Sequence, residues 1–186
     1  MTAAPAAIGT GGSLVYDGNN YLYALRGGNT TTFYRYDIAG NSWSTMSAFA
    51  VAVQDGGSLV YTGGDYIYGL QGFPTAAFYR YSISQNSWIL VNLASAPGTF
   101  SIGTALVYAG GKYIYALQGG DFTAFYRYDI AADTWSITQS AINTIFSGGS
   151  MTYGGGDWIY VFRGRTTTAF WRIKVKGVQA WQPWMK

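Results

Sequence analysis

FYRYDIAGNSW occupies Phe33–Trp43, and near copies return as FYRYSISQNSW at Phe78–Trp88 and FYRYDIAADTW at Phe125–Trp135. A blurred fourth version, FWRIKVKGVQAW, lies at Phe170–Trp181. Upstream of each copy a short apolar run ends in Tyr16, Tyr61, Tyr108 or Tyr153, at spacings of 45, 47 and 45 residues, and the closing tryptophans Trp43, Trp88, Trp135 and Trp181 follow at 45, 47 and 46. A period of this size with strand-like content is that of propeller blades.

Each copy reads as four strands, A to D. In the first, SLVY (Ser13–Tyr16) and YLYAL (Tyr21–Leu25) flank Asp17-Gly18-Asn19-Asn20, a turn whose Gly and Asn tolerate positive φ. YLYAL runs into Gly27-Gly28, a Thr-rich loop leads to TFYRYDI, and a short connection leads to the Trp strand. Asn41, Asn86 and Asp133, two residues before the Trp, are expected to bond nearby backbone N–H groups and close that connection. On strand B, Tyr21, Tyr23 and Leu25 point one way while Leu22 and Ala24 point the other. The bulky face of one blade can therefore press on the small face of the next. The expected fold is all-β: a propeller of four four-stranded antiparallel blades at 10–47, 56–92, 103–139 and 149–185, forming one domain over 1–186.

Composition narrows the chemistry. Apolar residues make up 49% of the 186 residues and charged residues 10%, which excludes a disordered chain. No apolar run reaches the roughly 18 residues of a membrane helix. A soluble chain with no membrane partner is expected, and MTAAPAAIGT has neither the basic nor the apolar region of a signal peptide; the compartment stays unknown. The 11 basic and 8 acidic residues are spread out, apart from Arg163, Arg165, Arg172, Lys174 and Lys176, so no nucleic-acid partner is expected. With no Cys and no His, thiolate or imidazole metal sites and Ser-His or Cys-His nucleophiles are ruled out, and no metal or cofactor is expected. Paired carboxylates remain, but there is no Glu and the Asp residues fall mostly in turns. A non-enzymatic chain is expected.

YALRGG with YRYDIAGNSW (Tyr23–Trp43) and YALQGG with YRYDIAADTW (Tyr115–Trp135) resemble the kelch repeat: a strand ending in a Gly pair, a Tyr-Asp on the third strand, then Trp. The resemblance spans residues 12–184. Copies two and four keep a single Gly (Gly72, Gly164), and copy four has Ile173 in place of the Tyr. Kelch propellers imply five to eight blades and binding through loops. The missing His and Cys exclude the copper oxidases of that type. Three arrangements stay open: a compact closed four-bladed ring, two chains meeting in an eight-bladed ring, or a fragment of a longer protein.

The D–A and B–C loops share one rim, where a rigid scaffold can present binding groups. Asn29, Phe73, Asp121, Phe122 and Arg165 belong to the B–C loops, and Phe100 and Phe146 to the D–A loops. Arg26, Gln71, Gln118 and Arg163 recur at the end of strand B, either as a polar ring for a ligand or as partners of backbone groups. Arg35, Arg80, Arg127 and Arg172 recur in strand C and are expected to lie on Tyr faces. Asn29-Thr30-Thr31 is a glycosylation-type sequon. These features point to a scaffold that recognises a protein or peptide through the rim or assembles with copies of itself through blade edges. A lectin-like propeller with repeated carbohydrate pockets is the alternative.

Overall fold

The computed structural model describes residues 1–90, 96–175 and 181–183. Lys176 and the expected blade limits at 92 and 185 lie outside the described residues. Sixteen strands form four sheets: β1–β4 (Ser13–Tyr16, Tyr21–Leu25, Phe33–Asp37, Ser42–Thr45), β5–β8 (Ser58–Tyr61, Tyr66–Leu70, Phe78–Ser82, Ser87–Leu90), β9–β12 (Ala105–Tyr108, Tyr113–Leu117, Phe125–Asp129, Thr134–Ile137) and β13–β16 (Ser150–Tyr153, Trp158–Phe162, Phe170–Lys174, Trp181–Pro183). Each sheet is an antiparallel meander in chain order, one repeat per blade. The sheets stand in a ring about one axis as a four-bladed β-propeller, with the A strands β1, β5, β9 and β13 innermost, where β1 packs on β5, β5 on β9 and β9 on β13. No helix among the described residues is long and apolar enough to cross a membrane.

The faces work as the B strands suggest, with an addition from strands C and D. Between blades 1 and 2, Tyr23, Leu25 and Phe33 of blade 1 meet Leu59, Ile67, Tyr79 and Tyr81 of blade 2. Phe33 is edge-on to Tyr81 at 4.9 Å and to Trp88 at 5.0 Å. Phe78 repeats this against Tyr128 and Trp135, both at 5.0 Å, and Phe125 against Trp181 at 5.3 Å. Edge-to-face pairs at such distances stabilise beyond the area they bury. The small B-strand residue makes room for this: a Cβ on Gly69 would lie within 3.0–3.3 Å of Phe49, Leu59 and Trp88.

The turn before the Trp works differently from the expectation. Asn41, Asn86 and Asp133 sit at φ 47°, 47° and 54°, in the left-handed region. Their Oδ1 atoms accept the hydroxyls of Tyr36 (2.6 Å), Tyr81 (2.7 Å) and Tyr128. Local closure comes from the residue that ends strand C: Asp37 accepts the Gly40 amide, Asp129 the Ala131 and Ala132 amides, and the Ser82 hydroxyl the Gln85 amide. The left-handed backbone leaves the amide side chain free to turn inward to the phenol. The strand-C arginines do lie on aromatic faces: Arg35 on Tyr21, Arg80 on Tyr66, Arg127 on Tyr113 and Arg172 on Trp158, at 4.0–4.6 Å from the ring centres.

Among the described residues three junctions share this design, and the fourth, between blades 4 and 1, is an open seam. A Cβ on Gly11 would lie 1.8 Å from the Gln54 carbonyl oxygen of the next blade's linker, one on Gly56 2.6 Å from Ser101 O, and one on Gly103 1.9 Å from Phe146 O, whereas one on Gly148 would meet only Gly164, of its own blade, at 3.8 Å. Ser13 Oγ accepts the Leu59 amide at 2.9 Å and Ser58 Oγ the Leu106 amide at 3.1 Å. No such bond joins Ser150 to Leu14. Leu14 is 58% exposed where Leu59 and Leu106 are buried, and Phe162 is 57% exposed where Leu25, Leu70 and Leu117 are buried. Among the described residues the fourth junction of the ring is therefore not packed like the other three.

Candidate functional site

The B–C and D–A loops do share a rim, because their backbones are stitched together. Asn29 N–H donates to Val53 O and Val53 N–H to Thr30 O, and Asp121, Ile145 and Phe122 repeat the pair. Blade 2 lacks this bridge because the matching donor is Pro74, which has no N–H. Inside the rim, Gly-rich turns from all four blades, Thr10–Gly12, Asp55–Gly57, Ile102–Thr104 and Ser147–Gly149, line a depression of about 330 Å³ at the mouth of the axis.

Arg26, Gln71, Gln118 and Arg163 share one role. Each side chain donates to the carbonyl nineteen residues upstream, in the linker that enters its own blade: Ala7, Ala52, Thr99 and Thr144, at 3.1, 3.2, 2.6 and 2.9 Å. Gln118 also accepts the Tyr126 hydroxyl at 3.1 Å, and both glutamines are buried. Phe100 is fully buried with Val53 and Ile145, which occupy the same linker position. These contacts hold each linker against its blade.

The remaining candidates form the accessible surface. Phe73 and Phe122 are 49% and 48% exposed, and Asn29 and Asp121, exposed in their own B–C loops, have φ 59° and 73°. In blade 4, Arg165 lies 4.2 Å and Arg163 5.2 Å from the centre of the Phe146 ring, so two guanidinium groups stack on one half-buried aromatic. Such contacts are favourable, and more so when partly desolvated. Arg165 and Thr166 have φ 54° and 51°, matching Gly28-Asn29 and Gly120-Asp121 in blades 1 and 3. Left-handed backbone is unfavourable for a β-branched residue. Local strain of this kind concentrates at functional surfaces. The grouping of Arg163, Arg165 and Phe146 was not legible as a cluster in the sequence. Its signal there is an Arg at position 165 where the other copies carry Gly28, Phe73 and Gly120.

The acids are bound up in turns. The Gly40 amide, then the Asn20 side chain, hold the Asp37 carboxyl below the usual carboxylate range. The Ser82 hydroxyl does the same for Asp65, and the Ala132 amide, with Lys112, for Asp129. Asp17 accepts the Asn19 and Tyr21 amides. Among the described residues no group of three or more acids is placed to hold a metal ion, and the one ion pair is Lys112–Asp129 at 3.0 Å.

No family model matches the chain, and no curated protein matches it. The solved structure of YjhT is similar, with a TM-score of 0.81 at 16% sequence identity, covering 97% of this chain and 66% of that one. The chain thus spans just under two thirds of that protein's length. At this identity the likeness concerns the fold alone.

Proposed function

We propose that the chain is a non-enzymatic binding scaffold of kelch-like type whose rim recognises a protein or peptide segment carrying apolar and acidic side chains. The observation behind this reading is the blade 4 cluster, in which Arg165 is stacked on Phe146 from a strained backbone, at the rim that also exposes Phe73 and Phe122. Aromatic and Arg side chains at one exposed surface are the residue types that anchor protein interfaces. The rim groups differ from blade to blade, which favours one composite surface over repeated equivalent carbohydrate pockets. Selection from a displayed random-peptide library tests it. Peptides rich in Asp, Glu and apolar residues are expected, with affinity falling at least tenfold in both Arg165→Ala and Phe122→Ala. Failure to enrich any peptide, with binding on a glycan array instead, would overturn this in favour of a lectin. Turnover of glycosides or esters, abolished by an Asp substitution, would overturn the non-enzymatic reading.

A further inference from the structure

The propeller axis also opens at its other end, on the side of the A–B turns and away from the loop rim. There the inner strands β1, β5, β9 and β13 enclose a cavity of about 660 Å³, walled by residues such as Val60 and Val107 and bordered by Tyr16, Tyr61, Tyr108 and Tyr153. These tyrosines end equivalent strands, so each blade brings one phenol to the same level of the axis. Each hydroxyl is already used. It donates to the carbonyl three residues on, Asn19, Gly64, Gly111 and Gly156, at 2.7, 3.0, 2.7 and 2.7 Å. That bond pins the ring and leaves its carbons to the cavity wall. A cavity of this size with a largely apolar lining suits a small molecule.

The surroundings of the mouth set the sign of the ligand. Among the described residues no cationic side chain lines the cavity. The A–B turns that frame it carry Asp17, Asp65 and Asp157. Against them stands Lys112, whose ammonium lies 3.0 Å from Asp129 on strand C of its own blade. Burial, and after it the charges of Asp17 and Asp65, push the Tyr61 phenol up, so both carboxylates act on the cavity wall. Carboxylates around a mouth with apolar walls concentrate cations there, and aromatic rings attract a cation to their faces. An anion would meet the carboxylates, and a sugar would find the four phenol donors taken. We propose that this cavity binds a small organic cation, a quaternary or protonated amine with an apolar body, its charge held among the four phenol rings. The site is separate from the loop rim and does not rest on the peptide-binding reading.

Titration calorimetry of the whole chain with choline, and with its uncharged carbon isostere neohexanol, tests this. A single saturable site for choline is expected, bound about tenfold more tightly than neohexanol. Tyr108→Leu removes one ring at a packed junction away from the seam, and should weaken choline about fivefold with little change for neohexanol. Tyr108→Phe keeps the ring and should bind choline within about twofold of the wild type. Asp17→Asn keeps an oxygen for the Asn19 and Tyr21 amides while removing the charge. Choline affinity should then fall about threefold, and further at low ionic strength. Circular dichroism reports whether each variant is folded; should Tyr108→Leu unfold, the comparison of the two ligands on the wild type decides. Equal affinity for choline and neohexanol, no saturable heat with choline, or choline binding untouched by a folded Tyr108→Leu overturns the proposal.

Discussion

The junction between blades 2 and 3 and the seam between blades 4 and 1 are written with nearly the same residues, yet among the described residues only the first is packed. At the inner junction Tyr68, Leu70 and Phe78 are sealed against Ile114, Tyr126 and Tyr128, with Phe100 from the linker above them. At the seam Leu14 and Phe162 are 58% and 57% exposed. Among the described residues the two faces share their chemistry and differ in what packs on them, and a repeat array draws its stability from such nearest-neighbour interfaces.

Substitutions at equivalent positions sharpen that contrast. Phe78→Ala empties the centre of a packed junction and is expected to cost about 3–5 kcal/mol in denaturant unfolding. Phe170→Ala at the seam is expected to cost roughly 1 kcal/mol, because its ring is already partly in water. Equal losses would break the comparison.

The buried phenols give the junctions a pH signature. Burial raises the pKa of Tyr81 and, together with Asp133, that of Tyr128, well above the ordinary 10.0. A raised folded-state pKa contributes stability that is complete below the unfolded value and is lost as pH rises past it, since the unfolded phenols ionise first. Thermal unfolding should therefore show a steep loss above about pH 10, weakened by Tyr81→Phe. Asp37, Asp65 and Asp129 have lowered values, so their contribution is present above the ordinary 3.8 and fades as pH falls; half-buried in surface turns, they should give a shallow acid limb.

The linker-holding position separates interior from end in the same way. Gln118→Ala strands the Thr99 carbonyl and the Tyr126 hydroxyl in a buried setting and is expected to cost about 1–3 kcal/mol. Arg26→Ala, at the half-buried equivalent in blade 1, should cost less than half as much by the same unfolding measurement. Thr166→Asn places a residue tolerant of left-handed backbone where blade 1 uses Asn29, and is expected to stabilise by roughly 1 kcal/mol. Phe122→Ala removes a side chain that touches mainly solvent and should change stability by less than about 0.5 kcal/mol. A large loss there would make the rim part of the core.

The blades were legible in the sequence because their signal is repeated: FYRY with its Trp, and the alternation on strand B, each occur several times with only local requirements. The role of Arg26 and Gln118 was left between two readings, since their partners lie nineteen residues back in a linker with no pattern of its own. The inward turn of Asn41 and Asn86 to a phenol was missed, because it depends on a left-handed backbone that Asn only permits. The seam could not be read from the repeats, as it depends on how far each junction turns the chain around the axis. The pairing of Arg165 with Phe146 joins two loops whose approach only the fold creates.

Amide hydrogen exchange, resolved by strand, tests most directly whether face-to-face blade packing holds this fold. Slowest exchange is expected in β6, β7, β10 and β11, the strands covered on both faces, with β14 and β15 opening at lower free energy. Uniform protection across all four blades, or slowest exchange in blade 4, would contradict it.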